Sequence, residues 1–495
     1  VLFRSPYYNL GLAYKAVGNL QKAYDSFYKA IWTNKWQDVG YFSLAQIDIS
    51  NEKYEEALDH ISKSLDRNAN NGKSYVLKSF VLRKLDRQQE ALLVVEEALR
   101  RDRFNLGALF EKMNVLAVQN KTQDSQCCRD KIISLSRNKG NNMLAYARDY
   151  ADAGLYTEAR SFIELLDSEC RTPLTEYYLA YYADKLGDIE LRDFYLKNAF
   201  KQDSYLCFPN DVNDIAVLEC AIQHNNQDHL APYYLGNLWY DKRQYEDAIF
   251  NWEESVKTCS TFPTAYRNLG IAYFNKKGNQ EKAIEFYEKA FALDKSDARV
   301  QMELHQLYKR VNRSPSERLQ LLEEEFTVVV ERDDLYLEYL SVHNFLGTSK
   351  KAYSLIMARK FHPWEGGEGK VTAEYVNALV ELAKSAIKNN EYTAALELLA
   401  KTQKFPENLG EGKLYGTHDN DVFYWMGKAY EGLNEESFAK ENFTRANLGL
   451  REPSAAIFYN DQQPDKIFYQ GLALHALGEK SEAQSVFSNL INYGE

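Results

Sequence analysis

The residues best suited to chemistry lie in the last third of the chain. Two strings, Gly367-Glu368-Gly369-Lys370 and Gly410-Glu411-Gly412-Lys413, repeat a glycine-rich core ending in lysine. Such a core can cradle a phosphate on backbone N–H groups, but the GxxxxGK[ST] loop needs glycine where Trp364 and Glu407 stand and a hydroxyl where Val371 and Leu414 stand. Nucleotide binding is therefore not expected. Four carboxylates, Glu365, Glu368, Glu411 and Asp421, could in principle supply the acid and base that cut a glycosidic bond, a reaction that needs a defined separation between them. No nucleophile beside a base accompanies them. The 8 histidines are dispersed without HExxH, His362 and His418 are remote in sequence from every cysteine, and the 6 cysteines contain no CxxC pair. Neither a metal nor a cofactor is expected.

Asp421 and Asp465 stand where helices should begin, and two readings are open for them. The first is helix capping. The second is a polar cluster with His418, Asn420, Asn460 and Asp461, which together with Trp364 would form a surface suited to a sugar or to the polar loop of a partner.

These residues must be positioned by helices. The segment from Tyr7 to Ile31 carries Leu10, Gly11 and Tyr14, then Ala23, Phe27 and Ala30 after a short polar turn. The glycine-to-alanine spacing of 12 recurs as Gly236/Ala248, Gly427/Ala439 and Gly471/Ala483, with Phe or Trp four residues beyond each alanine. Gly270/Ala283 adds one residue in its turn, and Ala45/Ala57, Ser79/Ala91, Ala147/Ala159 and Ala383/Ala395 keep the spacing with the glycine replaced. This resembles the tetratricopeptide repeat, in which two antiparallel helices cross closely. Gly11 is expected to face Ala23 at that crossing, with Tyr14 and Phe27 filling the space beside it. Degenerate units near 105–138, 173–201, 297–325 and 334–358 read as helix pairs from their apolar period. The expectation is an all-α solenoid of helix hairpins covering the whole chain, a right-handed superhelix whose concave groove is the default binding surface.

Three stretches exceed a minimal repeat, at 359–371, 405–421 and 458–470. Long glycine-rich loops in a compact array are usually functional or interfacial, because ordering them costs entropy. Lys370 and Lys413 close the glycine cores of the first two, and the spacing of about one repeat places those cores side by side. Among 36 tyrosines, most are helical core fillers, but Tyr8, Tyr233, Tyr240 and Tyr424 map to groove-facing positions, where an amphipathic ring can contact a ligand. Arg267 and Asn268 do not make a clamp for a peptide carboxylate, because Tyr233 occupies the place of its lysine.

Sixty basic against 71 acidic residues give a net charge of -11, and no basic tract offers a footprint for nucleic acid. No run of about 20 apolar residues could span a bilayer, and isolated thiols favour a reducing, cytoplasmic setting. Val1-Leu2-Phe3-Arg4-Ser5 precedes the first repeat without an initiator methionine and is read as an artefact joined to a chain that extends further upstream. The remainder divides into repeats at 6–230, at 231–358, and at 359–495 with the inserted loops.

The strings RKFHPWEGGEGKV, NLGEGKL and YNDQQPDKIFYQGLA, together with YYLGNLWYDKRQYEDAIFNWEES and FPTAYRNLGIAYFNK, are similar to the carboxy-terminal part of a family of large bacterial proteins. In that family a mutarotase-like β-sandwich, associated with carbohydrate handling, precedes a long tetratricopeptide tail. The resemblance covers at least 231–494 and implies a missing upstream domain. It transfers no catalytic residue. A scaffold that contacts a protein or that domain through the three loops is the leading expectation. A glycan-active enzyme to which the loops lend acids, and a peptide-binding adaptor, are the alternatives.

Overall fold

The computed structural model describes residues 5–204, 206–414, 416–456 and 461–495. Among them there is no strand. The chain packs as two compact units, 1–260 and 261–495.

The first unit runs as hairpins α1 (Ser5–Ala16) with α2 (Leu20–Ala30), α3 (Gln37–Ser50) with α4 (Tyr54–Arg67), α5 (Gly72–Lys84) with α6 (Gln88–Arg101) and α7 (Leu106–Val118) with α8 (Thr122–Ser136). It continues with α9 (Gly140–Ala151) and α10 (Tyr156–Ile163), α11 (Pro173–Lys185) and α12 (Ile189–Ala199), the single helix α13 (Asn213–His224), and α14 (Leu230–Asp241) with α15 (Tyr245–Thr258). The second unit pairs α16 (Pro263–Asn275) with α17 (Gln280–Leu293) and α18 (Ala298–Arg310) with α19 (Pro315–Glu324). After the short α20 (Phe326–Val329) come α21 (Asp333–Phe345) with α22 (Ser349–Ala358) and α23 (Lys370–Lys388) with α24 (Tyr392–Lys401). It ends with α25 (Asn420–Gly432) and α26 (Glu436–Ala446), then α27 (Pro464–Ala476) and α28 (Lys480–Gly494).

At the crossing the nearest neighbour of each glycine is an aromatic ring. A Cβ built on Gly11 would lie 2.5 Å from the Phe27 ring, and the same holds for Gly270 against Tyr287 at 2.6 Å, Gly427 against Phe443 at 2.5 Å and Gly471 against Phe487 at 2.4 Å. Gly236 would meet the Trp252 ring at 2.5 Å and the Ala248 carbonyl at 3.0 Å. The glycine thus makes room for the aromatic ring four residues beyond the alanine. Where the first position already carries a Cβ, at Ala45, Ser79, Ala147 and Ala383, the corresponding residue is the aliphatic Ile61, Val95, Ile163 or Leu399, each fully buried. Close packing allows a methyl or a ring at this point, not both.

Hairpins do not cover the whole chain. Between α12 and α14 the described residues hold one helix, α13, packed on α11 and α14. Buried carboxylates fasten both ends of it. Asp214 accepts the backbone N–H of Asn210 and Asp211 at 2.8 Å, the Tyr178 hydroxyl at 2.5 Å and the Arg148 guanidinium at 3.1 Å. Asp228 accepts the Tyr177 hydroxyl at 2.7 Å and the N–H groups of Leu230 and Ala231 that open α14.

The inner side of the first unit is closed between α3 and α9. Ala153, just beyond α9, belongs to the core built by Ala45, Ile49, Leu77 and Phe80, and a Cβ on Gly154 would sit 2.9 Å from that of Ser50. Lys73 on α5 pairs with Asp149 on α9 at 2.6 Å. A small pocket there is bordered by Phe42, Val76, Gly107 and Tyr146. The expected open groove does not exist at these repeats.

Candidate functional site

The loops of the second unit are fastened to one another. The Phe361 N–H donates to the Asn408 carbonyl at 2.8 Å, and the Asn408 side chain returns two bonds, to the carbonyls of Ile356 at 2.8 Å and Arg359 at 2.9 Å. The Gly369 N–H at the start of α23 donates to the Glu411 carboxylate at 2.9 Å, where the helix dipole favours negative charge. The two glycine cores therefore meet, as their spacing predicts. Phe361 and Leu409 are buried together with Val371 and Tyr375 beneath them, and Trp364 packs on that core. Gly367 has to lack a side chain, since a Cβ would fall 2.1 Å from the Trp364 ring.

Above this core, His362, Glu365, Glu368 and Lys370 are exposed. His362 lies against Asp333, its ring nitrogen 3.3 Å and its backbone N–H 2.9 Å from that carboxylate. Arg359 pairs with the same carboxylate at 2.7 Å, and Asp333 is held below the ordinary carboxylate range: burial opposes this, but the His362 N–H and Arg359 outweigh it. Lys413 turns inward, donating to the Thr402 carbonyl at 3.0 Å and pairing with Asp419 at 2.5 Å.

The polar cluster expected around Asp421 forms in part, as a buried junction. Asn420 donates to the carbonyls of Ala446 at 2.7 Å and Leu448 at 2.8 Å and accepts from the Gln462 amide at 3.1 Å. Gln470 also donates to Leu448. Asp421 pairs with Lys466 at 2.6 Å, and Asp465, exposed, stands 3.6 Å from the same ammonium. Burial works against the charge of Lys466, yet Asp421 and then Asp465 hold its pKa above the ordinary lysine value. Neither aspartate is the N-cap residue, which is Asp419 for α25 and Gln463 for α27; both lie in first turns. His418 and Asp461 are half-buried nearby in sequence, and Asn460 lies outside the described residues. Lys466, Gln462 and Gln470 were not anticipated. The available signal was a lysine in the first turn of a helix, unfavourable to the dipole unless an acid neutralises it.

The four groove tyrosines all make aromatic contacts within the array. Tyr240 packs on Tyr245 and Trp252 with centroids 5.1 and 5.4 Å away, and Tyr233 on Tyr234 at 5.3 Å. Tyr8 stacks on Trp36 at 5.0 Å. Tyr424 is half-buried among Trp425, Phe443 and Tyr469, and the Trp425 indole donates to the Tyr469 hydroxyl at 3.3 Å.

Among the described residues no helix is long and apolar enough to cross a membrane. A tetratricopeptide-repeat family model matches residues 5–31 and 263–297, the hairpins α1–α2 and α16–α17. Among solved structures the chain is similar to YrrB, described as a TPR protein with an unusual peptide-binding site, at 17% identity over 51% of this chain and 98% of that one, with a TM-score of 0.19. It is also similar to PilF of Pseudomonas aeruginosa (19% identity, 40% and 90% covered, TM-score 0.27) and to a tetratricopeptide repeat protein from Parabacteroides merdae (15%, 54% and 98%, 0.27). The successive hairpins, their recurring ring-on-glycine crossing and the two matched segments make the fold an all-α solenoid of tetratricopeptide-type helix hairpins.

Proposed function

We propose that the chain is a non-catalytic scaffold that holds a protein partner on the platform formed by the loops at 359–371 and 405–421. Repeat proteins of this type are built for protein–protein contact. The observation that carries the location is the mutual fastening of the loops through Asn408 and Glu411: a face ordered in advance spends little entropy when a partner arrives. Glu365, Glu368 and Lys370 are its exposed polar elements. Scaffolding is favoured over sugar chemistry because Glu411 and Asp421 are already committed to Gly369 and Lys466. It is favoured over peptide capture in a groove because the first unit fills its own inner side at α3–α9.

The resemblance of the loop strings supplies the first partner to try, a mutarotase-like β-sandwich, and with it any carbohydrate association. Titration calorimetry of that domain, produced separately, against this chain should give saturable binding that E365K/E368K weakens at least about tenfold, the size of effect expected for charges facing a partner. Absence of binding removes the β-sandwich as the partner. Equal affinity for the variant moves the contact off the platform.

A further inference from the structure

Where the hairpin order breaks, two helices bring together side chains that the scaffold reading does not use. Asp184 ends α11, while Cys220 and His224 lie one turn apart on the same side of α13, the spacing that lets an α-helix offer two ligands to one ion. One ligand atom from each of the three residues lies within 4.8 Å of the other two, and His224 Nε2 is 3.6 Å from Asp184 Oδ1. Ligand atoms of a tetrahedral zinc site with bonds of about 2.0–2.3 Å stand roughly 3.4 Å apart, so binding has to draw these atoms together by at most about 1.4 Å.

We propose that Asp184, Cys220 and His224 form a zinc-class metal site that staples the lone helix α13 to α11. One thiolate, one imidazole and one carboxylate select a borderline-soft ion over calcium or magnesium, which take oxygen ligands. The thiolate and the carboxylate together neutralise a divalent ion, so no net charge is left at the half-buried helix contact. Cys220 is 9% exposed whereas His224 is exposed, which gives the ion a way in and leaves a fourth position to water. Arg192 competes, donating to Asp184 Oδ1 at 3.1 Å, but a carboxylate has lone pairs for both an arginine and an ion. Burial, followed by the charge of Asp184, pushes the Cys220 thiol up to about 11; the thiol therefore loses its proton to solvent as the ion binds.

Cobalt(II) reports the geometry directly. One equivalent added to the reduced full-length chain should produce thiolate-to-cobalt charge-transfer absorption that zinc then displaces, and zinc should raise the thermal midpoint. Cys220→Ser should abolish the absorption, and His224→Gln, at an exposed position that leaves the fold intact, should weaken zinc binding at least about tenfold. No charge-transfer absorption in the native chain, absorption surviving in Cys220→Ser, or undiminished affinity in His224→Gln each overturns the site.

Discussion

Five crossings that open with glycine put an aromatic ring where a Cβ would be, and four that open with alanine or serine put an aliphatic side chain there. The two positions therefore act as one unit. Gly427→Ala would gain about 1 kcal/mol in helix propensity, yet its Cβ would lie 2.5 Å from the Phe443 ring, and overpacking of that kind costs about 1–3 kcal/mol. A net loss of up to about 2 kcal/mol is expected. Phe443→Leu alone leaves space and costs about the same. The double variant G427A/F443L reproduces the Ala383–Leu399 arrangement, so its loss should be at least about 1 kcal/mol smaller than the sum of the single losses. Urea titrations of the four proteins measure this; strict additivity would show that the ring is not why the glycine is there.

Helix pairs were legible in the sequence because each carries its own period and a fixed distance to its partner; the loop contacts were not, because Asn408 reaches Ile356 and Arg359 across 52 and 49 residues. The meeting of the glycine cores could be read from their spacing, but Asp421 could not be read as the partner of Lys466, since that bond joins α25 to α27. Asp421→Ala leaves the half-buried Lys466 ammonium with only Asp465, 3.6 Å away, and a loss of about 2 kcal/mol is expected in chemical denaturation, against almost none for exposed Asp465→Ala. Helix α11 makes a prediction in pH. Glu176, 2% exposed, has its carboxyl pushed up to about 7 by burial, against the pull of Arg171. A carboxyl raised on folding binds its proton more tightly in the native state, so its favourable contribution is complete at low pH. That contribution is lost as pH rises from about 4.5 through 7, by about 3 kcal/mol at roughly 1.4 kcal/mol per pKa unit. Glu176→Gln should flatten this part of the stability profile and be the more stable protein at pH 8; parallel profiles for the two would refute the assignment.

At the scale of a whole compact unit, a tandem array is expected to behave as a line in which each repeat feels only its neighbours. The sequence pattern encodes that line and nothing about what faces what across it, which is why the groove was expected to be open. In residues 1–260 the line bends until distant repeats touch: Ala153 enters the core of α3–α5, Ser50 meets Gly154, and Lys73 pairs with Asp149. Gly154, at φ +76 and with 2.9 Å from its would-be Cβ to that of Ser50, is the place to test closure. Gly154→Val brings a branched side chain into a left-handed backbone and into that contact, a cost of about 2 kcal/mol or more. In a nearest-neighbour line the disturbance would stay within α7–α12. With closure, hydrogen exchange must also accelerate in α3 and α4, three hairpins away in sequence, and at the end of α1, whose Lys15 lies beside Asp149 and Asp152. Loss of the Lys73 pair in Lys73→Met should accelerate α9 as well, by less, because an exposed ion pair contributes at most about 1 kcal/mol. Exchange confined to α7–α12 in both variants would mean that the touching surfaces carry no stability and that the inner side of this unit opens freely to a ligand.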